Sequence, residues 1–303
     1  MKATTALDLV LPRGFEARTG GFIYDRRMVG QLRDRGWRVT VHELDPGFPR
    51  PSATALRRAA DALACIPPGR LVVVDGLALG GMPGIVEGER SRLRLIALIH
   101  HPLAFETGLS RDLARELREA EARALAAVSH IIVTSGTTAR ALAEYAVAPD
   151  RIAVVPPGTD PAPLAEGSGG DALHLLCVAT LTPRKGHAVL FEALAGLRDQ
   201  AWRLRCAGSA ERDPATAADL RSSIAAYGLE DRVTLLGELQ QRELEREYAR
   251  ADGFVLASHY EGYGMAFAEA LARGLPVVAA AGGAVAETVP AAAGLLVPPG
   301  ESG

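Results

Sequence analysis

Two successive series of six short apolar runs, interleaved with amphipathic helical patterns, constrain this chain more than any other feature. The first series falls at residues 7–10, 39–41, 71–74, 95–99, 131–134 and 152–155, with the clearest helical patterns at 22–35 and 111–128. Runs that are apolar throughout fit strands buried on both faces, whereas strands with one wet face alternate. The stretch "VVPPGTDPAPLAEGSGGD", residues 154–171, is dense in Pro, Gly and small polar residues, the composition of an interdomain linker. A second series follows at 173–179, 203–207, 233–236, 254–257, 276–280 and 295–297, with helices expected near 185–197, 215–227, 243–251 and 265–273. The fold class expected is α/β: two Rossmann-like, doubly wound parallel-sheet domains facing a cleft. Their bounds are 1–160 and 172–303, with a linker at 161–171.

The 303 residues suffice for two cores, and 48% apolar against 23% charged residues excludes general disorder. A net charge of −3 gives no electrostatic reason to expect nucleic acid as a partner. Arginine supplies almost all the positive charge; lysine occurs only at Lys2 and Lys185. Cys65, Cys177 and Cys206 are odd in number and widely spaced, which fits reduced, buried thiols of a cytosolic protein. The N-terminal segment lacks the apolar core and cleavage site of a signal peptide. The longest apolar stretch, 275–286, is broken by Gly282 and Gly283 and falls short of the ~18–20 residues a membrane span needs. A cytoplasmic location is expected. In the helix 110–128 the acids Asp112, Glu116, Glu119 and Glu121 balance the arginines. It is therefore read as a solvated face, with peripheral association to the inner face of a membrane as the alternative.

Chemistry concentrates in three segments. "SHYEGYGMAFAEALARG", residues 258–274, sets Glu261 and Glu269 eight positions apart, on the loop leaving a strand and one turn into the next helix. Gly262 and Gly264 permit close backbone approach to a ligand, and Gly274 ends the helix. The two glutamates are either solvated surface groups or hydrogen-bond acceptors for a vicinal diol such as ribose. In "CVATLTPRKGHAVLFEAL", residues 177–194, Arg184 and Lys185 stand at a helix start, where they oppose the helix dipole. They are expected to need an external anion, a diphosphate, unless the loop is merely solvated. "RTGGFIYDRRM", residues 18–28, places Gly20 and Gly21 between the first strand and helix without the full G-x-G-x-x-G, so the dinucleotide fingerprint of an oxidoreductase is missing.

With "GGAVAETV" at 282–289 and "VVPPGTD" at 154–160, these segments resemble glycosyltransferase family 4, of the two-domain GT-B type, over essentially the whole chain. The resemblance implies a retaining transfer from a nucleoside-diphosphate sugar to an acceptor hydroxyl. The acceptor, whether glycan, lipid or small molecule, stays open. It makes the first domain the acceptor side and the second the nucleotide-sugar side. It assigns Lys185 and Arg184 to the donor diphosphate, Glu269 to the ribose and Glu261 to the transferred sugar. Gly262 and the backbone N–H groups of Tyr263, Gly264 and Met265 would face sugar and phosphate, and Gly20 and Gly21 would close over the donor. His100, at the end of the run 95–99, matches a histidine near the reacting sugar, with His101 beside it on the donor side. The family's Gly-Arg-Leu is here Ala179, Thr180 and Leu181, so one expected cation is lacking, and whether Arg184 replaces it is open. No Asp-x-Asp occurs; no metal is expected, and no cofactor beyond the donor substrate. Against the family the chain is expected to be C-terminally truncated, with one face of its second sheet or its helices uncovered. The alternative reading is an inactive sugar-nucleotide-binding module or a fragment. A glycoside hydrolase fits less well, because the glutamates suit donor hydroxyls better than a glycosidic bond.

Overall fold

All twelve apolar runs are strands in the computed structural model, which describes residues 5–302. Two compact units divide at Pro157 and Gly158. The first runs β1 (Ala6–Pro12), α1 (Gly20–Asp34), β2 (Arg38–Leu44), α2 (Ala53–Ala64), β3 (Leu71–Asp75), α3 (Gly76–Gly81), α4 (Pro83–Glu89), β4 (Arg94–Ile99), α5 (Arg111–Ala127), β5 (His130–Val133), α6 (Gly136–Ala141) and β6 (Ile152–Val154). Its strands lie in the order β2-β1-β3-β4-β5-β6, every pair parallel. Helices return the chain between parallel strands, and the side chains of Val10, Val72, Val74, Ala97, Ile131 and Val133 form a fully buried core.

The second unit repeats the plan with β7 (Leu173–Val178), α7 (His187–Ala195), β8 (Trp202–Ala207), α8 (Pro214–Ala226), β9 (Val233–Gly237), α9 (Gln241–Ala249), β10 (Gly253–Leu256), α10 (Met265–Leu271), β11 (Val277–Ala280), α11 (Val285–Thr288) and β12 (Gly294–Val297). Its parallel order is β12-β11-β10-β7-β8-β9. Phe254, Phe267 and Tyr248 pack ring against ring at the centre of this core.

Three local details depart from the sequence reading. The helix expected from 185 begins at His187, because Pro183–Lys185 is a 3-10 turn closed by Gly186 in the left-handed region, φ +65°. Gly20 and Gly21 are the first two residues of α1 rather than a loop ahead of it. Glu121, read as part of a solvated face, is fully buried on the inner stripe of α5 with Leu117, Ala124 and Leu125.

The stretch 161–171 has linker composition yet is pinned to the second unit. Ala165 N donates to Arg273 O, Glu166 N to Ala249 O, and Ser168 N to Asp252 Oδ1. Val278 and Leu295, neighbours in the β11–β12 register, are exposed. No helix among the described residues is long and apolar enough to cross a membrane.

Candidate functional site

An open parallel sheet binds ligands beyond the carboxyl ends of its strands, where the strand order reverses. In the second unit that reversal lies between β7 and β10. The loop after β7 carries Arg184 and Lys185, and the loop after β10 carries Glu261, so the sheet topology brings together residues 76 positions apart. Lys185 Nζ donates to Glu261 Oε1 at 2.6 Å, and Arg184 Nη1 stands 3.8 Å from Oε2. Ser258 Oγ adds a hydrogen bond to Oε1 at 2.6 Å. The anion that Arg184 and Lys185 were expected to require from outside is thus supplied, in this state, by Glu261. Glu261 is not a solvated surface group but 6% exposed. Burial works against its carboxylate, yet the charges of Lys185 and Arg184 and the hydrogen bonds from Lys185 and Ser258 hold it below the usual carboxylate range.

The two loops are knitted through backbone. His259 N donates to Arg184 O at 2.8 Å, and Arg184 Nη1 donates to Tyr260 O at 2.8 Å. Any Cβ at position 186 would sit 1.9 Å from Ala257 O, so only glycine lets them touch. Gly282 and Gly283 also press on the β10 loop, where a Cβ at either would lie 2.3 Å from a backbone oxygen: Glu261 N donates to Gly282 O, and Ala284 N to Glu261 O. The "GGAVAETV" segment is therefore a backbone clamp on Glu261.

Beyond the loop, Gly264 is buried with φ +91° and opens α10, while Gly262, Tyr263 and Met265 are half-buried. Glu269, half-buried on α10, accepts from Tyr248 Oη at 3.2 Å through Oε2. Arg273 lies over the Tyr248 ring at 4.3 Å and donates to Glu269 O. Burial and the nearby Glu269 carboxylate push the Tyr248 phenol well up, so it stays a donor.

In the first unit the order reverses between β1 and β3. There His100, just past β4, turns Nε2 toward Asp25 Oδ1 on α1 at 3.1 Å and Asp75 Oδ2 at the end of β3 at 3.6 Å. Both acids are buried. A Cβ on Gly21 would lie 3.1 Å from His100 Cδ2, which explains glycine there: the helix runs against the ring. Gly20 is exposed. His101 Nε2 lies 3.5 Å from Glu106 Oε2. Burial, then the Asp25 charge, raises the Asp75 carboxyl to about 7. Burial opposes the His100 imidazolium, but Asp25 and Asp75 outweigh it and raise the imidazole.

Among the described residues, two clusters have donor atoms within 4.8 Å of one another, near enough to reach a common cation: Asp25, Asp75 and His100, and Cys177, His187 and Cys206. The thiols face each other across the β7–β8 register, and His187 Nε2 is 3.7 Å from Cys177 Sγ. The Cys206 thiol and His187 draw Cys177 down to about 5 against burial, while Cys206 is pushed well up. Cys177 and Cys206 are buried as expected, but Cys65 is exposed.

Sequence reasoning missed Asp25, Asp75, Ser258, Tyr248 and His187. Asp75 carried a signal, an acid directly ending the apolar run "LVVV"; Asp25 sits inside a helical pattern and carried none.

Two doubly wound sheets with polar residues grouped at each reversal define the GT-B glycosyltransferase architecture, and comparison with known proteins agrees. Residues 164–302 match the family Glycosyl transferases group 1, and residues 71–163 match Glycosyltransferase Family 4. The chain belongs to glycosyltransferase family 4. It is 29% identical to the MMP alpha-(1->4)-mannosyltransferase of Mycolicibacterium hassiacum over 80% of its own length and 61% of that protein's. It is 32% identical to the D-inositol 3-phosphate glycosyltransferase of Corynebacterium efficiens, over 72% and 57%. The chain thus spans about six-tenths of these relatives. Among solved structures, sucrose-phosphate synthase from Thermosynechococcus elongatus superposes with a TM-score of 0.82 at 23% identity, covering 98% of this chain and 87% of that one. Anabaena HepE in complex with UDP and glucose gives 0.73 at 20%, covering 98% and 86%. At such identities these two likenesses establish the fold.

Proposed function

We propose that the chain binds a nucleoside-diphosphate sugar on its second unit and transfers the sugar to an acceptor hydroxyl, with retention of configuration and without a metal. The observation that carries this is the pairing of Lys185 and Arg184 with Glu261 at the β7–β10 reversal. A diphosphate arriving there meets two cations already held in place, so little reorganisation is needed as charge develops on the leaving group. Glu269, oriented by Tyr248, accepts from the ribose hydroxyls, and Glu261 accepts from the transferred sugar while keeping its hydrogen bond to Ser258. The bond from the anomeric carbon to the donor phosphate oxygen breaks as the acceptor oxygen bonds to that carbon. The acceptor's hydroxyl proton leaves with the departing phosphate. His100 serves the reacting sugar. The names of the relatives, a mannosyltransferase and an inositol-phosphate glycosyltransferase, and the UDP bound to Anabaena HepE support the same class of donor. Location in the cytoplasm, with peripheral membrane contact for a lipid acceptor, is part of the proposal.

Calorimetry with UDP, GDP and ADP, then with the sugar donor of whichever binds, tests it. Glu269→Ala is expected to lose affinity for the bare nucleotide, and Glu261→Ala chiefly for the intact donor. Equal losses for the bare nucleotide would reject this division of roles. Turnover is expected to survive EDTA, since cations do the charge work; loss restored by magnesium or manganese would overturn the metal-free step. Thr180 in place of the family's arginine favours one rival, an inactive binding module, which would bind nucleotide yet neither transfer nor hydrolyse the donor.

A further inference from the structure

Two carboxylates lie buried behind His100, and their surroundings differ. Asp75 has a structural use: its Oδ1 accepts Leu77 N at 2.9 Å and caps α3. Asp25 has no such use. It is 1% exposed, its Oδ1 meets His100 Nε2 at 3.1 Å, and its Oδ2 is buried without a hydrogen-bond partner among the described residues. A half-satisfied buried carboxylate is costly, and a purely structural group at that position would be better served by an apolar or fully bonded side chain.

The ring it holds is packed on two further sides, and the backbone that carries it is tied down. Gly21 lies against Cδ2, Tyr24 meets the ring edge-on at 5.5 Å, and Thr134 Oγ1 donates to His100 O at 3.2 Å. The first turns of α1 and the carboxyl ends of β3 and β4 converge on one imidazole that is still 21% exposed, and the end of β5 holds its backbone.

We infer that Asp25, seconded by Asp75, is a positioning residue that accepts the Nε2–H of His100 and thereby, whenever the imidazole is neutral, presents Nδ1 as a hydrogen-bond acceptor for a sugar hydroxyl. A neutral imidazole has one N–H and one lone pair, and a carboxylate at Nε2 decides which nitrogen carries which. An Nδ1 lone pair suits an alcohol hydroxyl, the group in which sugars abound, and does not suit a phosphate oxygen, which has no proton to give. The hydroxyl as ligand rests on the proposed glycosyl transfer; the tautomer does not.

Long-range proton–nitrogen correlation spectra of the uniformly ¹⁵N-labelled full chain test it, recorded at a pH where His100 is neutral and assigned by difference with His100→Gln. Nε2 is expected to show a pyrrole-type shift and Nδ1 a pyridine-type shift. In Asp25→Asn, whose side-chain amide can instead donate to Nε2, the preference is expected to weaken or invert. With circular dichroism unchanged, kcat is expected to fall by about 10-fold, the scale of one misplaced hydrogen bond, while nucleotide affinity holds. An Nδ1–H or mixed tautomer in the wild type overturns the inference even if Asp25→Asn does not fold. So does an unaltered tautomer in a folded Asp25→Asn. If no transfer is found, the proposed function fails while the tautomer still decides the role of Asp25.

Discussion

Lys185 and Glu261 hold each other at 2.6 Å with side chains 18% and 8% exposed, so removing one strands the other. Lys185→Ala is expected to do two separable things. Turnover should fall roughly 10²–10³-fold, the loss typical of one electrostatic stabiliser of a leaving group. Stability should fall by up to ~3 kcal/mol, because the Glu261 carboxylate keeps only Arg184 and Ser258. Adding Glu261→Gln removes the stranded charge, so the double variant should recover melting temperature but not turnover. Recovery of both, measured by calorimetry and donor-transfer assay, would make the lysine purely structural. Both residues were legible, since Glu261–Glu269 and "PRKG" stand in the sequence as motifs. That they would neutralise each other was not, because their meeting depends on strand order rather than spacing. Asp25 was less legible still: a carboxylate within a helix announces nothing until a histidine 75 residues away packs on it.

Among the elements, α5 shows how a helix can be misjudged from charge pattern. Its arginines and acids read as a wet face, yet Glu121 lies on the buried stripe and accepts Leu103 N at 3.0 Å, holding the turn just after His100 and His101. Burial raises this carboxyl to about 8, with the Leu103 N–H pulling the other way. An acid with a folded pKa above its unfolded one binds more proton when folded, so its effect on stability worsens as pH rises from ~4.5 to ~8 and is flat beyond. Glu121→Gln keeps an acceptor for Leu103 N and abolishes the titration. It is expected to match the wild type near pH 5 and to melt higher at pH 8, by at least the ~2–4 °C that ~1 kcal/mol gives a unit of this size. Parallel melting curves across that range would place the titration elsewhere. Strands such as β3 and β10 were plain in the sequence because parallel strands buried on both faces are apolar throughout. The short helices α3, α6 and α11 were not. With four to six residues each, they have too few turns for a 3.6-residue period, and α3 holds three glycines. At one of those, Gly80, the Leu103 side chain reaches into the place a Cβ would take.

At the scale of the whole molecule, the carboxyls raised into the neutral range lie on one side of the Pro157–Gly158 division, and so does the raised imidazole of His100. Asp75, His100 and Glu121 all belong to the first unit and all favour the protonated folded form. Each therefore contributes stability that is lost as pH rises toward 8. In the second unit Glu261 and Asp252 are lowered, so their contributions are complete above the ordinary carboxylate range and are lost only as pH falls below it. Cys177, also lowered, adds stability as pH rises. The chain has two tryptophans, Trp37 in the first unit and Trp202 in the second. Trp202 is 4% exposed with its indole N–H on Leu197 O, so its emission reports the second core. Trp37→Phe isolates that signal, and subtraction from the wild type yields Trp37. Between pH 5.5 and 8.5 the Trp37 midpoint is expected to fall while the Trp202 midpoint holds or rises, splitting one thermal transition into two. If both tryptophans shift together by the same amount, the two units unfold as one cooperative body and their opposed titrations cannot be separated.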